Sequence, residues 1–205
     1  MLKLLRNSLL LLFVYCIATP LALCHENNIN GAQNFVQATS DKVVNLVAHA
    51  KSEGKTEQTL DSIFLNVTEI DWIGKYVIGN QWRSLDNTQK AAYLTQYRKY
   101  LTSLYVPLFK DYNGQKITIK GGKELGTDQY LVTTEIQPND TGKSKYKVEY
   151  RLRFANGEFK IRDIIVEDVS MIATQRANFS SLLSRSGFPS LMSALEQKEG
   201  VKVSE

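Results

Sequence analysis

The sequence predicts an α+β fold, a four-stranded antiparallel sheet covered by helices. Three observations predict it. Apolar residues recur at spacings of three and four through the first half of the chain, which is helical periodicity. From Tyr146 to Phe154 they alternate strictly, with Tyr146, Val148, Tyr150, Leu152 and Phe154 set between Lys147, Glu149, Arg151 and Arg153, the period of a half-buried strand. After Ser170 the helical spacing returns. Helices, then antiparallel strands, then a closing helix is the order of an α+β chain and not of alternating βαβ units.

In chain order, the first 24 residues read as an export leader, residues 1–24, ahead of one unit over 25–205. Lys3 and Arg6 precede an apolar core from Ser8 to Ile17 that is too short to span a bilayer comfortably. Ala22 and Cys24 fit a peptidase cut before His25. Leu21-Ala22-Leu23-Cys24 also resembles a lipobox, but Leu23 is bulky where that site wants a small residue, so the soluble form is expected. Cleavage there removes Cys16 and Cys24, the only two cysteines. The mature chain then has no disulfide and is stabilised by packing. Removing Lys3 and Arg6 also lowers the formal charge from +4 to +2. No nucleic-acid partner is expected from that balance, since such a partner needs a clustered basic face.

Ala32 to Glu53 reads as an amphipathic helix with Phe35, Val36, Val43, Leu46, Val47 and Ala50 near one stripe, closed by Gly54. Glu57 to about Ile70 reads as a second helix with Leu60, Phe64 and Val67 on one side. Trp72, Tyr76 and Ile78 extend an aromatic path toward Gly79, and both stretches read as helices that cover a sheet. Asp86 and Gln89 form a capping box at the start of a long helix, whose stripe is Tyr93, Tyr97, Leu101, Leu104, Tyr105 and Leu108. Pro107 should end or kink it, because proline lacks the backbone donor. Ile117 with Ile119, and Tyr130 to Ile136, read as two strands, with Gly121-Gly122 as a turn. Asn156-Gly157 supplies the hairpin turn after Phe154, since a type I′ turn needs positive φ at both central residues. The last strand runs from Phe159 to Val169, and Ser170 is the N-cap of the helix that follows.

Catalytic patterns are scarce. His25 and His49 are not spaced to share a metal, and no cysteine remains to assist. There is no nucleophile elbow, no phosphate loop and no evident Ser, His and acid set. Asp163 stands alone among apolar strand residues and reads as a structural carboxylate, hydrogen-bonded and paired with a nearby arginine. Glu167, its nearest acidic neighbour, looks exposed. Neither a metal nor a cofactor is expected.

The run Phe159-Lys160-Ile161-Arg162-Asp163, the corner Glu167-Asp168-Val169-Ser170, Arg176 with Phe179, and Gly187 before Leu191 and Leu195 together resemble the MlaC family. Trp72 to Arg83 and Gln89 to Tyr105 match its upstream pattern. The resemblance covers nearly all of the chain after the leader. The sequence departs from the family at Asp168, where glycine is usual, and at Phe159, where tryptophan is usual.

The resemblance implies a soluble periplasmic carrier, not an enzyme, that holds a phospholipid by its acyl chains. Its implied partners are an outer-membrane lipoprotein and porin complex and an inner-membrane ABC transporter, and a monomer is expected. Ten Tyr, eight Phe and two Trp suit an ordinary aromatic core, and on the resemblance some of them line an apolar lipid cavity between sheet and helices. The candidates are Val132, Tyr150 and Leu152 from the strands, Tyr97, Leu101 and Leu104 from the long helix, and Val169, Ile172 and Phe179 from the last corner and helix. Val169 is expected near the rim. Two other readings stand beside this one: an envelope carrier of another lipid such as a hopanoid, and a small α+β hydrolase.

Overall fold

The computed structural model describes residues 26–49, 56–110, 114–139 and 143–197. The leader, its cleavage site and the stretch from Ala50 to Glu53 lie outside the described residues, as do the side chains of His49 and Leu108. Among the described residues five helices come first: α1 (Ile29–His49), α2 (Thr56–Val67), α3 (Ile70–Ile78), the single turn α4 (Gln81–Ser84) and α5 (Asn87–Lys110). The strands are β1 (Lys116–Gly126), β2 (Gln129–Gln137), β3 (Tyr146–Ala155), β4 (Glu158–Val166) and β5 (Val169–Ser170), and α6 (Met171–Glu196) closes the chain. They form one antiparallel sheet in the order β1-β2-β3-β4-β5.

The α+β class holds, with five strands where four were expected. The difference lies at Glu167-Asp168. Both residues have positive φ, 45° and 67°, so the expected continuous strand to Val169 folds back and pairs Val166 with Val169 and Ile165 with Ser170. Asp168 therefore holds a backbone conformation that glycine reaches without strain, which accounts for the residue usual in the family. Lys147 steadies the corner, its Nζ 2.5 Å from the Asp168 carboxylate and its backbone N–H donating to Glu167 Oε1.

Several local readings hold. Asp86 N donates to Gln89 Oε1 at 3.0 Å and Gln89 N to Asp86 Oδ1 at 2.8 Å, a reciprocal capping box. Asn156 and Gly157 have φ of 54° and 82°, as a type I′ turn requires. Ser170 Oγ accepts from Ala173 N at 3.1 Å, and α6 is interrupted at Gly187, with φ 74° and ψ 179°.

Others are corrected. The expected helix to Ile70 stops at Val67, and α3 restarts at Ile70, because Thr68 forms a parallel bridge to Ile161 and Glu69 N donates to Ile161 O at 2.9 Å. The helix containing Pro107 continues to Lys110. Gly121-Gly122 is no turn but lies inside β1, at a register shift between Ile119 and Gly121. A Cβ on Gly122 would come within 2.7 Å of the Leu131 carbonyl oxygen and 2.8 Å of Ile29 Cδ1. Glycine here lets the start of α1 lie close over the strand. Gly122→Ala is accordingly expected to lower stability by about 1–3 kcal/mol, the usual cost of forcing packed groups apart, measured as a fall in the urea midpoint at unchanged slope.

The core has two parts. Ala32, Phe35 and Val36 of α1 cover the sheet through Tyr130, Val132, Leu152, Phe159 and Ile161. Phe159 is its hub, 1% exposed, with ring centroids 5.8, 5.5 and 4.9 Å from those of Phe35, Tyr130 and Phe154. The second part is helical, where Tyr93, Tyr97, Tyr100 and Leu101 of α5 meet Ile172, Phe179, Leu191 and Leu195 of α6 and the apolar face of α3.

Candidate functional site: an apolar cavity at the layer seam

A cavity of about 40 Å³ sits where the helical core meets the sheet. Phe64 of α2, Thr68 just beyond its end, Ile73 of α3, and Leu101 and Tyr105 of α5 face Ile161 to Ile164 of β4 across it. Met171, Ile172 and Gln175 at the start of α6 complete its wall. α6 arrives there because the β4–β5 corner turns the chain back and Ser170 starts the helix at once.

The wall includes polar residues that offer it only hydrocarbon, because their polar ends are engaged elsewhere. Asp163, 2% exposed, accepts from Ser170 Oγ at 2.6 Å and from Ile172 N at 3.2 Å. It is the structural carboxylate the sequence suggested, but its partners are the cap and first turn of α6 and not an arginine. Arg162 instead grips Glu69, Nε to Oε2 at 2.6 Å and Nη2 to Oε1 at 3.1 Å, with its guanidinium 4.2 Å from the Trp72 ring centroid. Gln175 Oε1 accepts from the Tyr97 hydroxyl.

The nine candidate residues separate into groups. Leu101 and Ile172 line the cavity. Tyr97, Leu104 and Phe179 lie behind them in the helical core, while Val132, Leu152 and Tyr150 belong to the core under α1. The strand residues face α1 rather than α5, because α1 occupies that surface of the sheet. Val169 is 52% exposed on β5 and does not line the cavity. Sequence reasoning missed Phe64, Tyr105, Ile161 and Ile164 as cavity residues. Phe64 and Tyr105 were visible as members of apolar stripes, but nothing local says which stripe meets which strand.

Burial pushes the hydroxyls of Tyr93 and Tyr97 well above the usual tyrosine value of 10.0, with neighbouring tyrosines adding to the effect. Tyr150 is pushed up to about 12 by burial, then by Tyr146. The unfolded chain ionises these groups near pH 10 while the folded one keeps them neutral. Their contribution is therefore full below pH 10 and is lost as pH rises through the folded values. Stability should fall above pH 10 by up to about 1.4 kcal/mol per pH unit for each such tyrosine. Urea titrations between pH 9 and 11 should give a shallower fall for Tyr97→Phe than for the native chain, and equal slopes would contradict this.

Among the described residues, no three His, Cys, Asp or Glu side chains gather to hold a metal, and no helix is long and apolar enough to cross a membrane. What the seam can do is keep hydrocarbon from water.

Fold and cavity define a class: an α+β protein whose helices and meander sheet meet around an apolar interior. The chain belongs to the MlaC family, whose model, described as MlaC protein, matches residues 37–197. It is similar to the intermembrane phospholipid transport system binding protein MlaC of Haemophilus influenzae, 23% identical over 80% of this chain and 79% of that one. It is also similar to the toluene tolerance protein ttg2D of Pseudomonas putida, 23% identical over 91% of this chain and 86% of that one. Among solved structures it matches a phospholipid-binding protein from Ralstonia solanacearum in complex with a phospholipid, with a TM-score of 0.68 and 17% identity over 82% of this chain and 96% of that one. That likeness is one of fold.

Proposed function

We propose that this chain is a periplasmic phospholipid carrier, released from its leader near His25, that passes lipid between an outer-membrane complex and an inner-membrane ABC transporter. It performs no bond chemistry. The observation that carries the reading is the hydrocarbon-faced cavity at the seam of helices and sheet. Membership of the family and the phospholipid named in its relatives supply the ligand class.

The magnitudes set the mechanism. Each CH₂ taken from water is worth about 0.8 kcal/mol, so two chains of about 15 carbons represent roughly 24 kcal/mol. A lipid leaves a bilayer only for a site that encloses nearly all of that surface. Ligand pockets of drug-sized molecules run from about 300 to 1,000 Å³, far above the 40 Å³ present here. The acyl chains are therefore accommodated by parting the seam. Leu101 and Ile172 meet them first, with Tyr97, Leu104 and Phe179 on the helical side, Val132, Tyr150 and Leu152 on the sheet side, and Val169 at the rim.

Ile172→Trp tests this by filling the seam from α6. The variant is expected to keep its circular dichroism spectrum and to lose most of its uptake of fluorescent phospholipid from vesicles. A folded variant with native uptake would overturn the seam as the acyl-chain site.

A further inference from the structure

Around the single turn α4, aromatic groups reach the surface among cations. α3 ends at Ile78, Gly79 turns the chain with φ of 62°, and α4 presents Trp82 and Arg83 just before α5 begins at Asn87. Trp82 is half-buried, its ring edge-on to Tyr93 with centroids 6.4 Å apart, and Phe188, also half-buried, meets Tyr93 at the same distance. Lys75 Nζ lies 5.4 Å from the Trp82 ring centroid and Lys90 Nζ 5.5 Å. Arg83 is exposed beside them. From Trp72 to Lys90 the sequence holds these three cations and a single acid, Asp86, whose carboxylate is engaged at the cap of α5 by the Gln89 N–H. Among the described residues no carboxylate pairs with Lys75, Arg83 or Lys90.

We propose that this pole of the helical layer is a docking surface for an acidic face of a protein partner, with Trp82 and Phe188 as its apolar centre and Lys75, Arg83 and Lys90 as its charged rim. The inference rests on the carrier reading, since a carrier that delivers to membrane complexes must bind each of them and leave again. An aromatic centre inside a polar rim is the anatomy of protein interfaces, where tryptophan and arginine are enriched. The indole attracts each ammonium, yet the two ammoniums repel one another and have no anion between them. An incoming carboxylate therefore gains attraction without breaking an existing pair. Charges of this kind steer the encounter and are screened by salt, which suits a contact that must let go. A bilayer is the poorer match, because anionic membranes are held by clusters of about four to eight lysines and arginines, and the Trp82 ring is already packed on Tyr93. Leu101, on the cavity wall, lies about 12 Å further along α5 than Tyr93, so docking here leaves the seam clear to open.

The test measures binding of the mature protein to the outer-membrane complex and to the inner-membrane ABC transporter of the same bacterium, each held in nanodiscs, and to bare vesicles containing phosphatidylglycerol. Lys75→Glu with Lys90→Glu is compared with Lys116→Glu with Lys123→Glu, which changes the net charge equally at exposed positions of β1. Circular dichroism checks each fold. The native protein and the β1 pair are expected to bind at least one complex alike, and Lys75→Glu with Lys90→Glu to weaken that binding about ten- to a hundredfold, with phospholipid uptake from vesicles unchanged. Arg83→Glu alone, on the exposed side of α4, should weaken it about fivefold and decides the matter if the first pair does not fold. Equal losses from both pairs would reduce the effect to net charge and overturn the surface, as would loss of uptake together with binding. Unchanged binding by the variants, or a native protein that takes up phospholipid but binds neither complex, would overturn the surface and leave the carrier reading standing. Binding to bare vesicles as tight as to a complex, lost in the Lys75 and Lys90 variant, would assign the pole to a bilayer and overturn the protein partner. A native protein that neither takes up phospholipid nor binds a complex would overturn both readings.

Discussion

Phe179→Ala is expected to cost about 3–5 kcal/mol, the range for removing a fully buried aromatic ring from a packed core. Phe179 has no exposed surface. Its ring stands edge-on to Tyr97 with centroids 6.0 Å apart and lies 6.2 Å from Tyr100, so it joins α6 to α5 directly behind the cavity wall. Tyr97 cannot move far into the space left, because its hydroxyl is bonded to Gln175 and its face is stacked 5.6 Å from Tyr93. The void therefore persists instead of collapsing, which puts the cost at the high end for such a truncation. Urea denaturation measures it, and a loss below about 1 kcal/mol would contradict a tightly packed helical core.

Arg162→Met is expected to cost about 2–4 kcal/mol. The side chain is 7% exposed and Glu69 31%. Methionine keeps much of the stem volume but leaves the Glu69 carboxylate without its two charge-assisted bonds and uncovers the face of Trp72. A fully buried orphan would cost about 3–5 kcal/mol, and the partial exposure of Glu69 moderates this. Adding Glu69→Leu should recover most of the loss, since an apolar pair can replace a buried ionic one at little net cost. Additive losses in the double variant would mean the pair is not the reason for the first.

The readable parts of this fold are those whose cause is local. Asp86 with Gln89, Asn156-Gly157 and Ser170 each satisfy or orient their own neighbouring backbone, so the residues announce the structure. The break between α2 and α3 is different. It exists because Thr68 and Glu69 bond to Ile161 nearly a hundred residues away, and the apolar periodicity runs through it unmarked. Gly121-Gly122 has the composition of a turn but serves a close approach by α1. The same limit applies to the site. The apolar stripes containing Leu101 and Phe64 were legible, and so was a first helix lying over the sheet, as α1 does. Which strand residues each helix meets was not: Tyr150, Leu152 and Val132 turn toward Phe35, while the β4 residues Ile161 and Ile164 face the cavity. Asp163 was legible as structural because an acid in an apolar strand must find donors, though the donors came from α6.

Family membership and the hydrocarbon-faced seam converge on a single claim, that the interior opens to enclose lipid tails. Mass spectrometry of organic extracts from the protein, expressed in a bacterial host and purified without detergent, tests it most directly. The expected result is phospholipid at about one molecule per chain, lost in parallel with uptake in Ile172→Trp. A well-folded native protein whose extract contains no phospholipid would contradict it.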